Sequence, residues 1–242
     1  MIIKPLSELK NPNIKYNSSG HKSIDKLFGG FGIADVSINL IAGLQGIGKS
    51  ALASFIAEQY SIKGDPVLYV SGEESLEQMK HRTNRLKLVG KHIIPTRDVF
   101  VDKITENALD NKCKLVIVDS TDSLRMKDFI RQSKIVDESV FKLKTWTEKH
   151  HIPFILINHV TKKGKIAGSK DLLHHVDGVF QAMPIESSHE KIVQSQKNRF
   201  GSTETELRFY QNSDGIQVFA ESITFRTAQT LDTTEPTLSA EN

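Results

Sequence analysis

One stretch constrains this chain more than any other: Gly43-Leu44-Gln45-Gly46-Ile47-Gly48-Lys49-Ser50. An apolar run precedes it and a helical pattern follows. Gly43, Gly46 and Gly48 let the backbone turn tightly, so that successive N–H groups point inward at phosphate oxygens. The positive end of the following helix adds to that field. In a loop of this form the lysine, Lys49, reaches the β- and γ-phosphates and the Ser50 hydroxyl ligates Mg²⁺. A chance match to the four fixed positions in a chain this long is on the order of one per cent. The pattern predicts a nucleotide site built from Gly43, Gly46, Ile47, Gly48, Lys49, Ser50 and Ala51, taking ATP with Mg²⁺.

The flanking pattern alternates as a parallel sheet flanked by helices does. Strands are expected at 36–42, 66–71, 114–120 and 154–160, with a short one at 99–101. Helices are expected at 49–62, 75–88, 104–111 and 134–151. In the last, Val136, Val140, Leu143 and Trp146 form a stripe that reads as core packing. From 176 onward, short alternating segments (177–182, 191–197, 205–210, 215–219) suggest antiparallel hairpins closing one edge. The expected fold is α/β, a mostly parallel central sheet with antiparallel strands near the C-terminus. Residues 1–18, broken by Pro5 and Pro12, read as an arm, 19–226 as the domain, and 227–242 as a disordered tail.

Such a site also needs acids at the carboxyl edge of the sheet. Asp119, closing Lys114-Leu-Val-Ile-Val-Asp, fits a carboxylate that holds water on Mg²⁺, or else caps a turn. Glu73 and Glu74 follow the strand at 66–71; either could orient or deprotonate an attacking water, while Glu74 also suits the first turn of the next helix.

Composition narrows the class. The single cysteine, Cys113, excludes an intrachain disulfide and a Cys-rich zinc module, and reads as a small residue before a buried strand. No apolar run approaches the ~18 residues of a membrane span, and the N-terminus lacks a signal-peptide core, so a cytoplasmic location is expected. The net charge is +3; removing the three acids of the last sixteen residues leaves +6 on residues 1–226. That permits nucleic acid without requiring it.

Two basic segments stand out. Residues 161–170, Thr-Lys-Lys-Gly-Lys-Ile-Ala-Gly-Ser-Lys, carry Lys162, Lys163, Lys165 and Lys170 and no acid. Leaving the nucleotide edge, such a loop suits contact with a phosphate backbone, though a solvated surface loop has the same composition. Arg125, Lys127 and Arg131 form a second candidate for DNA contact. Lys197 and Arg199, two apart on a strand, point the same way; alone, that spacing describes a solvated pair.

Taken together, several blocks resemble the ATPase core of the RadA/Sms recombination proteins, within the RecA/DnaB superfamily of hexameric DNA motors. They are residues 23–32, 43–50, 67–75 (VLYVSGEES), 115–120, 158–177 (NHVTKKGKIAGSKDLLHHVD) and 197–202 (KNRFGS). The resemblance implies a RecA-like P-loop fold and a catalytic role for Glu73. It makes His159 a sensor of the γ-phosphate, 161–170 a DNA-contacting channel loop, and Lys197 and Arg199 cations acting across a subunit interface. Without it, His159 would read as a buried strand-end histidine. Full-length relatives also carry a four-cysteine zinc module and a Lon-protease-like domain, for which this sequence shows no matching segment. Ser169 stands where the family block usually has proline. The expected activity is a Mg²⁺-dependent, DNA-stimulated ATPase. It would form a homo-oligomer, a hexameric ring, around single-stranded DNA, with recombinase or replisome proteins as partners. Alternatives are a DnaB-type helicase core and a KaiC-like regulatory ATPase that ignores DNA.

Overall fold

The computed structural model describes residues 5–8, 13–127, 134–160 and 170–219. The strands β3 (Ile38–Gly43), β4 (Val67–Ser71), β6 (Leu115–Asp119) and β7 (Phe154–His159) are almost wholly buried. They are continuous apolar runs because both faces of the sheet are covered. Their side chains alternate accordingly. Ile41, Val67, Tyr69, Leu115, Ile117, Ile155 and Ile157 join one core with Leu52, Ile56 and Tyr60 of helix α2 (Lys49–Ile62). Ile38, Leu40, Leu68, Val70, Val116, Val118, Phe154 and Leu156 join the other. That second core is covered by Ile104 of α4 (Val101–Asp110) and by Val140 and Leu143 of α5 (Ile135–His150). Each fully buried aliphatic side chain contributes about 1.5–3 kcal/mol, so the two cores dominate the stability of the sheet.

Four more strands extend the sheet on one side and one on the other. With β5 (Ile93–Thr96), β8 (Gly178–Pro184), β9 (Lys191–Asn198), β10 (Glu206–Asn212) and β11 (Gly215–Phe219), the order is β11-β10-β9-β8-β3-β7-β6-β4-β5. From β5 through β8 all neighbours are parallel; β8-β9, β9-β10 and β10-β11 are antiparallel. The expectation for 177–182 therefore needs correction on one side. This segment is antiparallel to β9 but runs parallel to β3, reached from β7 by a crossover ending in helix α6 (Lys170–His175).

A second correction concerns 99–101. Phe100 makes an isolated bridge to Arg125 and Val101 opens α4, while the strand lies at β5 instead. Pro95 inside β5 is tolerated because this is an edge strand, where a missing N–H costs no ladder bond. Within the N-terminal segment, β1 (Tyr16–Asn17) pairs with β2 (Ile33–Ala34), and the Tyr60 hydroxyl donates to the Asn17 carbonyl at 2.7 Å. Residues 13–17 thus lie along the domain. Among the described residues no helix is long and apolar enough to cross a membrane.

Candidate nucleotide site

The glycine-rich loop joins β3 to α2. A Cβ at Gly43 would sit 2.8 Å from the Ala182 carbonyl oxygen, so the approach of β8 excludes any side chain there. Gly46 (φ +79°) and Gly48 (φ +102°) occupy the left-handed region that glycine enters without strain. Gly48 is the N-cap of α2, and no side chain caps that end. The first N–H groups of the helix are therefore left for an anion.

Lys49 is buried, 5% exposed. Its Nζ donates to the carbonyls of Gly43 (2.8 Å) and Leu44 (2.9 Å) and lies 3.4 Å from Nδ1 of His159. Burial lowers its pKa, against the opposing charges of Asp119 and Glu73. His159 ends β7 directly beside Gly43 in the parallel register. Its other nitrogen, Nε2, is 3.3 Å from Oε1 of Glu73. An ammonium can only donate and a carboxylate can only accept, so this geometry suits the neutral tautomer with the proton on Nε2.

Glu73 and Glu74 leave β4 in different directions. Glu73 Oε1 accepts from the Ser120 hydroxyl at 2.6 Å. That bond, foremost, holds its pKa below the ordinary glutamate value; partial burial opposes this, and His159 and Lys49 add to it. Glu74 instead pairs with Arg82 of helix α3 (Leu76–Arg85) at 2.8 Å. A Ser75–Gln78 capping box fixes the start of that helix. Gly72, before the two acids, has no room for a side chain: a Cβ would fall 2.0 Å from the Ser123 hydroxyl.

Asp119 ends β6 opposite Ser71 and is 8% exposed. The Tyr69 hydroxyl donates to its Oδ2 at 2.9 Å, leaving Oδ1 available as a ligand. Among the described residues no cluster of three His, Cys, Asp or Glu could hold a metal. A pair such as Ser50 and Asp119 nevertheless fits Mg²⁺, which takes one or two protein ligands and fills its remaining positions with phosphate and water.

The structure thus brings Lys49, Glu73, His159, Ser50 and Asp119 to one edge. Lys197 and Arg199 are not among them. Lys197 Nζ donates to the carbonyls of Leu173 and Val176, each at 2.7 Å. Arg199 pairs with Asp177 at 3.1 Å and reaches the His174 carbonyl at 3.3 Å. Asp177 sits beside Ile38, the amino end of β3, about 17 Å along the strand from Gly43 at ~3.3 Å per residue. Arg125 turns onto its own loop, donating to the carbonyls of Asp122 (2.9 Å) and Leu124 (2.8 Å), while Lys127 is exposed. Lys162, Lys163, Lys165 and Arg131 lie outside the described residues, as does the side chain of Lys170. Cys113 is buried, and desolvation pushes its thiol up to about 11, which makes it inert.

Three site-lining residues escaped the sequence reading: Ser120 on Glu73, Tyr69 on Asp119, and Arg82 on Tyr69 and Glu74. The detectable signal was for Arg82, which falls with Met79, Thr83 and Leu86 on the buried stripe of an otherwise charged helix.

The fold and its phosphate loop define a RecA-type P-loop ATPase. A family model described as "ATPase: KaiC" matches residues 18–107. A KaiC-like protein of Pyrococcus horikoshii superposes with a TM-score of 0.68 at 19% identity, over 86% of this chain and all of that one. Within that class, the chain is similar in sequence to part of the DNA repair protein RadA. It is 30% identical to the DNA repair protein RadA of Aquifex aeolicus over 227 residues, 93% of this chain and 51% of that protein. With RadA of Campylobacter jejuni the identity is 32% over 202 residues, 82% and 45% of the two chains. The chain thus spans about half the length of the curated relatives it matches.

Proposed function

We propose that this chain binds and hydrolyses ATP with Mg²⁺ and, as a homo-oligomer, couples hydrolysis to movement on single-stranded DNA in recombination, repair or replication. The observation that carries this is the position of His159, 3.4 Å from Lys49 and 3.3 Å from Glu73. The loop N–H groups and Lys49 hold the phosphates. Ser50 and Asp119 hold Mg²⁺, which when bound neutralises charge on the phosphate oxygens. Glu73, kept ionised by Ser120, orients the attacking water and takes its proton. When Lys49 turns from the Gly43 and Leu44 carbonyls to a phosphate, His159 loses one partner and keeps Glu73. Two residues further on begins the lysine-bearing segment 161–170, so a change at the phosphate is passed to the proposed DNA contacts Lys162, Lys163, Lys165 and Lys170. Arg125 and Lys127 are secondary candidates. Lys197 and Arg199 serve a neighbouring subunit's site, and the working unit is residues 19–226, with 1–18 as an arm and 227–242 as a tail.

The test is ATP turnover with and without single-stranded DNA across a salt series. Stimulation by DNA is expected. Replacing Lys162, Lys163 and Lys165 with Ala should flatten the salt dependence of binding, because fewer counterions are released. The match to a KaiC model over residues 18–107 favours a second reading, a regulatory ATPase that ignores DNA. Turnover and sizing both indifferent to DNA would select it.

A further inference from the structure

We infer that Arg82 and Tyr69 form a positioning pair for the two Mg²⁺ ligands of this site, and that Arg82 also sorts the adjacent acids Glu73 and Glu74. The inference rests on the reading of Ser50 and Asp119 as those ligands.

Arg82 is 7% exposed although its neighbours Lys80 and His81 lie at the surface. A buried guanidinium is costly unless its donors are matched, and here they are. Nε and Nη2 both reach Oε2 of Glu74, at 3.0 and 2.8 Å. Nη1 donates to the Ser50 carbonyl and, at 2.7 Å, to the Ser54 hydroxyl, both in the first turns of α2. Nη1 and Nη2 each lie 3.4 Å from the Tyr69 hydroxyl, and the guanidinium carbon sits 5.5 Å from the centre of that ring.

Tyr69 completes the connection. It is fully buried, and its hydroxyl donates to Asp119 at 2.9 Å while accepting from Arg82. A phenol hydroxyl can donate one hydrogen bond and accept another at the same time, which is the part Tyr69 plays between Asp119 and Arg82. One cation therefore joins the backbone of Ser50, the carboxylate of Asp119 through one hydroxyl, and the loop between β4 and α3. Its grip on Glu74 leaves Glu73, one residue earlier, to face Ser120 and His159. Such outer contacts orient metal ligands, and their loss typically weakens metal binding by roughly 10–100-fold.

The experiment titrates Mg²⁺ into protein saturated with a fluorescent ADP and reads the half-saturating Mg²⁺ concentration. The variants are Tyr69→Phe, Arg82→Lys, Glu74→Gln, Ser50→Ala and Asp119→Asn, each checked by thermal unfolding. Tyr69→Phe and Arg82→Lys should each raise the Mg²⁺ requirement roughly 10-fold or more while ADP affinity in EDTA stays unchanged. The combined variant should lose no more than the worse single one, because the two act through one contact. Glu74→Gln should reproduce part of the Arg82→Lys effect. If Asp119→Asn raises the Mg²⁺ requirement and Tyr69→Phe leaves it within about twofold of wild type, the positioning role is overturned. If neither Ser50→Ala nor Asp119→Asn alters it, the ligand assignment itself fails. Should Arg82→Lys not fold, Tyr69→Phe, which removes a single oxygen, decides alone.

Discussion

The two edges of the parallel sheet both gather acids and cations, yet they are built to opposite ends. At the amino edge, Asp177 is 1% exposed and accepts from the Ile38 N–H (2.9 Å), Lys144 (2.7 Å) and Arg199 (3.1 Å), while Lys197 closes on two carbonyls at the end of α6. Each of these donors has its partner within the chain. At the carboxyl edge, Glu73 is 54% exposed and His159 30%, and Lys49 is parked on two carbonyls of its own loop. In the proposed function a phosphate takes the place of those carbonyls. A cluster closed on itself fixes the fold, whereas an open one with interim partners is arranged for a ligand.

The comparison can be broken in order of effect. Lys49→Ala should abolish tight ATP binding with little change in unfolding temperature, since the Gly43 carbonyl keeps the Val160 N–H as a donor and Leu44 is exposed to water; retained affinity in a labelled-nucleotide titration would remove the carboxyl edge as the site. Asp177→Ala should do the reverse. It leaves Lys144 and Arg199 without their shared carboxylate and should cost about 3 kcal/mol in denaturant unfolding, the low end for a broken buried pair because Arg199 is half exposed. Nucleotide affinity of the folded fraction should persist.

Arg199→Ala sharpens the contrast, because two roles meet at one residue. As a fold contact it should cost only about 1 kcal/mol. As a cation supplied to a neighbour, its loss should silence turnover, and mixing with Lys49→Ala subunits should restore part of it, since some interfaces would pair an intact loop with an intact arginine. No restoration in oligomers shown by crosslinking to be mixed would leave Arg199 as a clasp for α6 alone. The smallest effect is expected at Ser120. Its hydrogen bond stabilises the ionised Glu73, so Ser120→Ala should raise the carboxyl pKa from its lowered value toward 4.5. The acid limb of the pH–rate profile should then move to higher pH; an unmoved limb would separate Ser120 from the chemistry.

Much of the sheet was legible because its central strands are continuous apolar runs, of which 114–120 is the plainest. The edge was not. Ile93–Thr96 is four residues long with a proline inside, and the apolar trio at 99–101 imitated a strand while opening an amphipathic helix. Nor does alternation reveal the partner of a strand, which is why the parallel pairing of β8 with β3 emerged only in three dimensions. At the candidate site, the loop and Asp119 stood out from their spacing, and the fold places them at one edge. Which of Glu73 and Glu74 faces His159 could not be read from spacing, since Arg82, eight residues along from Glu74, holds that acid. Ser120 offered no pattern at all, being a small polar residue whose role depends on where the β4 loop passes.

The central claim is that Glu73, held by Ser120 and His159 beside the phosphate loop, activates the water that hydrolyses ATP. Glu73→Gln tests it most directly, with turnover and labelled-ATP binding measured on the same preparation at saturating Mg²⁺. Hydrolysis should fall by a factor of ~10² or more, the range for a lost general base, with ATP affinity unchanged. Turnover equal to that of the unaltered chain would contradict the account and take the catalytic carboxylate away from this edge residue.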